Sequence, residues 1–462
     1  MPASKIVIIG AGSDIFGLNM VATLMRSKVL RGSTLMLVDR NASALESMMH
    51  LAKRVNREWL SGMVIKSTTD TIKALPGANF VICAIGASPR EGLWKSDYEI
   101  PLKLGVRQPY AENSGPGGFA QAARNIPMIM DIVHGIEKHC PQALFINFTN
   151  PMQRICDAVH RYSFIRVVGL CHQISAGYSM VGRTLGRELG IESPAAFIGT
   201  HSSPAINPAR QQVALAAMKK VSIRAAGVNH FTWMLALTDR ESGEDLYLQF
   251  AKRWQALSPD FEPLTRRIYE LFGLFPIPGD EHLCEYLPWM SDPQTKPWEK
   301  YDLSLYEWNL RSRLREKDRA QIRELAEGKG GLDRLADEQS EGAAEVIQGV
   351  IGGKTIAWDA VNLPNHGLID NLPEDAIVEV PGRLGARGPK GVAVGALPKG
   401  IAELCRREIT TSQLCVDAAV KGDRKLALQS LLLDPVVRDI DTGQKILDAY
   451  LKTYSKYLPQ FA

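Results

Sequence analysis

The chain opens on an apolar, β-branched run, "KIVIIGAGS", that stops at glycines. A short continuous apolar run closed by turn residues is the pattern of a strand buried on both faces of a parallel sheet. Further runs of this kind follow in "STLMLVD", which ends at Asp39, in "ANFVICAIGAS" and in "ALFINFTNP". Between them lie stretches with helical spacing such as "NIPMIMDIVHGIEKHC". The alternation predicts β-α-β units and a Rossmann-like, doubly wound α/β sheet.

After one more run, "VVGLCHQ", the pattern becomes mixed. An amphipathic helix around "MVGRTLGRELGI" leads into one long predicted strand, "KKVSIRAAGVNHFTWMLALTD". Highly charged helices are expected from about Leu303 to Ile351, with charges that read as solvated faces and local ion pairs. The stretch "TIAWDAVNLPNHGLIDNLPEDAIVEVP" reads as strands broken by turns, and the stretch from "ALPKG" to "LLLDP" as closing helices. This divides the chain into a Rossmann-like domain over residues 1–197 and a mixed α+β domain over 198–462. No linker separates them, so a broad shared interface is expected.

Length agrees with two parts, since 462 residues exceed the roughly 250–300 over which one core grows. With 45% hydrophobic and 23% charged residues and no membrane-length apolar run, a soluble protein is expected. The start "MPASKIVIIGAGS" lacks the features of a secretory signal, which points to the cytoplasm. Seven cysteines without a C-x-x-C pair suit reduced core residues better than a disulfide framework. The net charge of +4 is dispersed, which argues against nucleic acid and membrane partners and for a small molecule.

Gly10 and Gly12 would let the backbone bend toward a pyrophosphate at a helix N-terminus. The dinucleotide fingerprint is imperfect, because Ile15 stands where its third glycine belongs and Gly17 comes two residues late. Asp39 lies about where an acid would accept hydrogen bonds from the adenosine ribose, which favours NAD over NADP. Without a dinucleotide, Asp39 would be an ordinary turn residue. Ligands of such sheets bind at the carboxyl ends of the strands, where Gly86, Ala87, Asn147, Thr149 and Asn150 lie.

The segment "GLCHQ" puts Cys171 beside His172, and "GVNHF" carries His230. Read alone, Cys171 suits a core thiol and His230 a structural imidazole, because no metal-site spacing links them. A third segment, "PGDEHLCEYLPW", gathers Asp280, Glu281, His282, Glu285 and Tyr286 in a stretch rich in helix breakers, where acids and bases could line a cleft. Cys284 within it suits the core.

Taken in order, "GAGS", "IPLKLGV", "ENSGPGG", "NFTNP", "GLCH", "GVNHFTW", "GDEHLCEYLPW" and "GALPKG" resemble glycoside hydrolase family 4, the NAD- and manganese-dependent glycosidases, over nearly the whole chain. The resemblance implies a lactate and malate dehydrogenase-like fold and a homo-oligomer, dimer or tetramer. It implies Cys171 and His230 as the protein ligands of a divalent metal, usually manganese(II). NAD would be held by Gly10, Gly12, Ser13 and Asp39, with Gly86 and Asn147 at the strand ends. Asn150 and Asn113 would meet sugar hydroxyls.

His172 and "PREGLWKSDYEIP" depart from what the family's 6-phospho-glycosidases carry at these places. The wording is closest to the branch resembling α-galacturonidases, which implies an unphosphorylated α-linked uronide, with α-glucuronides, α-galactosides and α-glucosides as alternatives. Arg90, Lys95 and Arg107 are candidates for the uronide carboxylate, and each is equally plausible as a surface charge or in an ion pair.

The implied mechanism is hydride transfer from carbon 3 of the sugar to NAD, loss of the acidified proton on carbon 2, elimination of the glycosidic oxygen, water addition and return of the hydride. Asp280 ranks ahead of Tyr286 as the base, and His172 is the candidate acid. Two alternatives from other classes are an NAD-dependent 2-hydroxy-acid dehydrogenase, which would accumulate NADH, and a non-catalytic NAD sensor, which would not need Cys171.

Overall fold

In Lys5–Ile9 (β1) the four residues after Lys5 are buried, and they alternate between the two faces of a sheet. Ile6 and Ile8 join the core on one face, Val7 and Ile9 the core on the other. The computed structural model describes residues 3–13, 17–108, 110–193, 208–303, 308–336 and 341–462.

Five more parallel strands belong with β1: Thr34–Val38 (β2), Val64–Thr68 (β3), Phe80–Cys83 (β4), Leu144–Asn147 (β5) and Val167–Gly169 (β6). Their order, β3-β2-β1-β4-β5-β6, is that of a doubly wound dinucleotide fold. The inner strands match the apolar runs of the sequence. β3, which the apolar pattern missed, is the edge strand "VIKST"; it has no fully buried residue, and a Lys on an edge discourages pairing with other chains.

The sheet does not stop at β6. Val221–Val228 (β7), Phe231–Asp239 (β8), Phe275–Pro276 (β9), Ile356–Pro364 (β10) and Ile377–Gly385 (β11) extend it as β10-β11-β7-β8-β9, and Gly388–Gly391 (β12) pairs with β11. The added pairs are antiparallel. The expected boundary at residue 197 falls within 194–207, outside the described residues. On either side of it the sheet is continuous, since Asn362 of β10 pairs with Gly169 of β6.

Both parts also contribute to the same cores. Helix Gly115–His139 shares one with Cys415, Val416, Ile446 and Tyr450 from the closing helices Lys399–Lys421 and Ile440–Thr453. Helix Ala343–Gly352 lies in the core of the other face, which it shares with helices Gly17–Arg26 and Ala42–Glu58. The charged helix Trp308–Ala326 is more than a solvated face: Ile322 and Leu325 are buried, and Arg54 donates to the carbonyls of Leu325 and Gly330 at 2.8 and 2.7 Å.

The single strand expected over 219–239 is a hairpin. β7 and β8 pair from Val221 with Asp239 to Val228 with Phe231, leaving Asn229 and His230 as the turn. His230 has φ +62°, a left-handed conformation for which histidine is among the better-suited side chains. All seven cysteines are free thiols, and among the described residues no helix is long and apolar enough to cross a membrane.

Candidate active site

The loop after β1 is shaped by close backbone approach. Gly10 and Ala11 donate to the Val38 carbonyl at 2.9 and 3.0 Å, and Gly10 has φ +89°. A Cβ on Gly10 would lie 2.3 Å from the Ala84 oxygen, and one on Gly12 would lie 2.9 Å from Asp39 Oδ2. The Gly12 N–H donates to Asp39 Oδ2 at 2.9 Å and the Asn41 N–H to Oδ1 at 2.8 Å. Asp39 therefore braces the loop, and each carboxylate oxygen keeps acceptor capacity for a hydroxyl.

Ser13 lies in the same loop, its N–H on the Gly10 carbonyl at 3.0 Å, while residues 14–16 are outside the described residues. The late glycine has a role of its own. A Cβ on Gly17 would sit 2.5 Å from the Ala11 oxygen and 2.9 Å from Met48 Cε, so Gly17 allows the tight helix-to-loop packing that the fingerprint assigns to its third glycine. The loop suits a dinucleotide: bare backbone, a helix start behind it, and a carboxylate at the end of β2.

The next strand ends are stitched to one another. Ile85 N–H donates to Thr149 Oγ1 at 3.0 Å, Ala87 N–H to Asn125 Oδ1 at 3.1 Å, and Asn125 Nδ2 to the Asn150 carbonyl at 3.0 Å. Gly86 is exposed, with open space where a Cβ would be. Asn147, expected to touch the cofactor, is fully buried and exchanges hydrogen bonds with the Thr149 backbone, both at 3.0 Å. Its amide sets the shape of the turn, which corrects the expectation. Asn150 is half-buried at this edge.

Cys171 follows β6 on the same carboxyl edge of the sheet, and the hairpin turn brings His230 to it: Cys171 Sγ and His230 Nε2 are 3.2 Å apart. Burial, followed by the neighbouring His282 and His172, holds His230 well below the ordinary histidine range, so the imidazole is neutral. Burial, with Glu379 and Glu341 adding to it, pushes the Cys171 thiol up. A neutral imidazole and a thiol at hydrogen-bond distance form a donor pair that fits a divalent cation, whose binding would release the thiol proton. His230 Nδ1 is buried without a hydrogen-bond partner. Among the described residues no group of three or more His, Cys, Asp and Glu is arranged around a metal position, so a cation here would need further ligands from substrate or solvent.

The segment expected to line a cleft folds as a short helix, Asp280–Tyr286. The Asp280 carboxylate is engaged at both oxygens: its Oδ2 accepts the Leu264 N–H at 3.0 Å and its Oδ1 the Thr265 N–H at 2.7 Å, capping helix Pro263–Phe272. Its own N–H donates to Glu262, which is ion-paired with buried Arg210, each at 2.7 Å. This corrects its ranking as the base. Tyr286 is buried, with its ring stacked 5.0 Å from Phe231 and its hydroxyl donating to the Asn229 carbonyl at 3.4 Å, one residue from His230.

His282 also belongs to the site. Its ring lies 4.5 Å from that of His230 and 4.8 Å from that of Tyr110, and its Nδ1 is 3.3 Å from Glu285 Oε2. Burial pushes Glu285 up to about 7, with His282 opposing. Cys284 is buried, as expected of a core thiol. His172 is half-exposed, with Nδ1 2.8 Å from Glu341 Oε1.

The expected uronide receptors are already engaged. Arg90 Nη2 lies 3.1 Å from Glu112 Oε1, Lys95 is paired with Glu99, and Arg107 donates to the Leu303 carbonyl at 2.9 Å with its guanidinium over Trp298. Asn113 Nδ2 donates to the other oxygen of Glu112 at 3.3 Å, and Asn113 Oδ1 is buried without a partner. Sequence reasoning missed Glu112, Glu341 and Glu379. The last had a signal, a lone acid inside the apolar strand "AIVEV".

Two family models match the chain: the one described as family 4 glycosyl hydrolase over residues 5–186, and the family 4 glycosyl hydrolase C-terminal domain over 225–437. An alpha-glucosidase of Erwinia rhapontici is 28% identical over 99% of both chains. An alpha-galacturonidase of Thermoanaerobacterium saccharolyticum is 27% identical over 98% of this chain and 96% of its own. Among solved structures, a 6-phospho-alpha-glucosidase from gut microorganisms, in complex with NAD and Mn2+, has the same fold, with a TM-score of 0.77, 21% identity and 99% of each chain covered.

Proposed function

The chain belongs to the family 4 glycosyl hydrolases, and on that premise we propose that it cleaves an unphosphorylated α-linked sugar by redox-assisted elimination, using NAD and manganese(II) or another divalent cation. The observation that carries the reading is the contact of Cys171 with His230 on the same sheet edge as the Gly10–Gly12 loop. When bound, NAD supplies a hydride acceptor for carbon 3 and the cation a Lewis acid for the oxygens on carbons 2 and 3.

The chain's own residues then handle protons and orientation. Cys171 and His230 would hold the cation, and Gly10, Gly12, Ser13 and Asp39 the dinucleotide. Tyr286 is the favoured acceptor for the carbon 2 proton and would act as its phenolate, which burial disfavours and a cation held by Cys171 and His230 would favour; its hydroxyl bonds to the Asn229 carbonyl, one residue from His230, while the Asp280 carboxylate is engaged by backbone N–H groups. His172, backed by Glu341, is the candidate donor to the departing oxygen. Asn150 and Asn113 would bind sugar hydroxyls. The enzyme is proposed to work as a cytoplasmic homo-oligomer.

The geometry favours a neutral hexoside over the uronide expected from sequence, because Glu112 already neutralises Arg90. The galacturonide is the second reading, supported by the 35% exposure of the Arg90 side chain, which leaves it room to turn toward a carboxylate. Turnover of α-glucosides, α-galactosides and α-galacturonides in heavy water with NAD, manganese(II) and a thiol reductant tests both. The expected result is deuterium on carbon 2 of the released neutral sugar. Cleavage without deuterium and without any NAD requirement would overturn the mechanism, and faster cleavage of the uronide would overturn the sugar class.

A further inference from the structure

A single rung of the sheet connects the two halves of the proposed metal pair. Gly169 of β6 lies opposite Asn362 of β10, Asn362 opposite Glu379 of β11, and Glu379 opposite Gly227 of β7. Cys171 stands two residues beyond the first member of this rung, and His230 three beyond the last.

Side chains reinforce the rung where the backbone pairing is thinnest. Glu379 Oε2 accepts from Asn229 Nδ2 at 2.7 Å and from Asn362 Nδ2 at 2.9 Å, and Asn362 Nδ2 also reaches the Gly169 carbonyl at 3.4 Å. Asn229, Asn362 and Glu379 are each at most 3% exposed. Asn229 is the residue that precedes His230 in the turn.

Glu379 makes no ion pair among the described residues, and the hydrogen bonds to its carboxylate come from the neutral amides of Asn229 and Asn362. A buried carboxylate without a cationic partner is costly, and a glutamine could accept the same two bonds through one oxygen. A divalent cation between Cys171 and His230 would supply the missing positive charge. We propose that Glu379 is a positioning residue of the metal site: it fixes the Asn229–His230 turn against the strand that leads to Cys171, and it provides negative charge behind the bound cation. This rests on the reading of Cys171 and His230 as metal ligands.

The test compares Glu379→Gln, Glu379→Ala and Cys171→Ala with the unaltered protein. Manganese(II) affinity is measured by electron paramagnetic resonance, the sulfur-to-cobalt absorption band after cobalt(II) loading, and NAD affinity by fluorescence. Loss of such a supporting group typically costs about 10–100-fold in metal affinity. Glu379→Ala is expected to show a loss of that size with NAD affinity within about twofold, and Glu379→Gln, which keeps the amide bonds but drops the charge, a smaller loss.

Unchanged manganese affinity in both Glu379 variants overturns the proposal, and so does an equal fall in manganese and NAD affinity, which marks general destabilisation. If Glu379→Ala does not fold, Glu379→Gln decides by the same criterion. Cys171→Ala keeps the two failures apart: if it binds manganese as well as the unaltered protein, the metal reading itself is wrong, and if only the Glu379 variants do, the positioning role alone is wrong.

Discussion

Cys171 Sγ and His230 Nε2 touch at 3.2 Å across a separation of 59 residues. Neither side chain has a local reason to be where it is; one lies just beyond a parallel strand and the other forms the turn of an antiparallel hairpin. Replacing either with alanine should remove manganese binding and lower activity at least about 100-fold, while NAD still binds. Metal content after dialysis, measured with a reductant present, checks this, and a chelator should abolish the activity of the unaltered enzyme reversibly.

Tyr286 and Asp280 lie on the same short helix but should fail differently. Tyr286→Phe removes the hydroxyl that bonds to the Asn229 carbonyl, one residue from His230, and is expected to lower kcat by about 10²–10⁴-fold with little change in stability. Asp280→Asn loses part of a buried helix cap and should cost about 1–2 kcal/mol of stability while leaving kcat of the folded enzyme within a few-fold. Urea midpoints beside single-turnover rates separate the two.

Glu112 holds Arg90 at 3.1 Å, so removing its charge should free a guanidinium at the edge of the site. Glu112→Gln is expected to raise kcat/KM for an α-galacturonide relative to the matching α-galactoside by about tenfold or more. An unchanged ratio would show that the pair does not face the sugar.

Asp434 gives the stability a dependence on pH. It is buried, its Oδ2 accepts the Gly115 N–H at 2.9 Å, and burial followed by the nearby Glu408 pushes it up to about 7. The folded protein therefore holds this proton more tightly than the unfolded chain does. The resulting stabilisation is complete below the unfolded carboxyl value near 4 and is lost as pH rises through about 7. Asp434→Asn should flatten the decline in urea midpoint between about pH 5 and pH 8.

The inner strands of the sheet were legible because parallel strands buried on both faces leave continuous apolar runs. β3 was not, since an edge strand can carry "VIKST". The hairpin was hidden because "AAGVNHFTW" stays apolar through its turn, with only Asn229 and His230 to mark it. At the site, resemblance singled out Cys171 and His230, whereas spacing could not, because strand pairing brings them together. Asp280 misled because an acid that caps a helix and an acid that takes a proton look alike in a sequence. Arg90 and Glu112 are 22 residues apart and meet only once the fold is complete.

The unbroken sheet has a consequence for motion. Many enzymes of two parts close them around the substrate like a jaw. Here a jaw would have to shear β10 from β6 and pull the helices 399–421 and 440–453 out of the core they share with helix 115–139. The continuous sheet and the shared core therefore predict that the two halves move as one body, with the groups that act on the sugar in register before it arrives and its entry and exit left to side chains and connecting loops along the carboxyl edge.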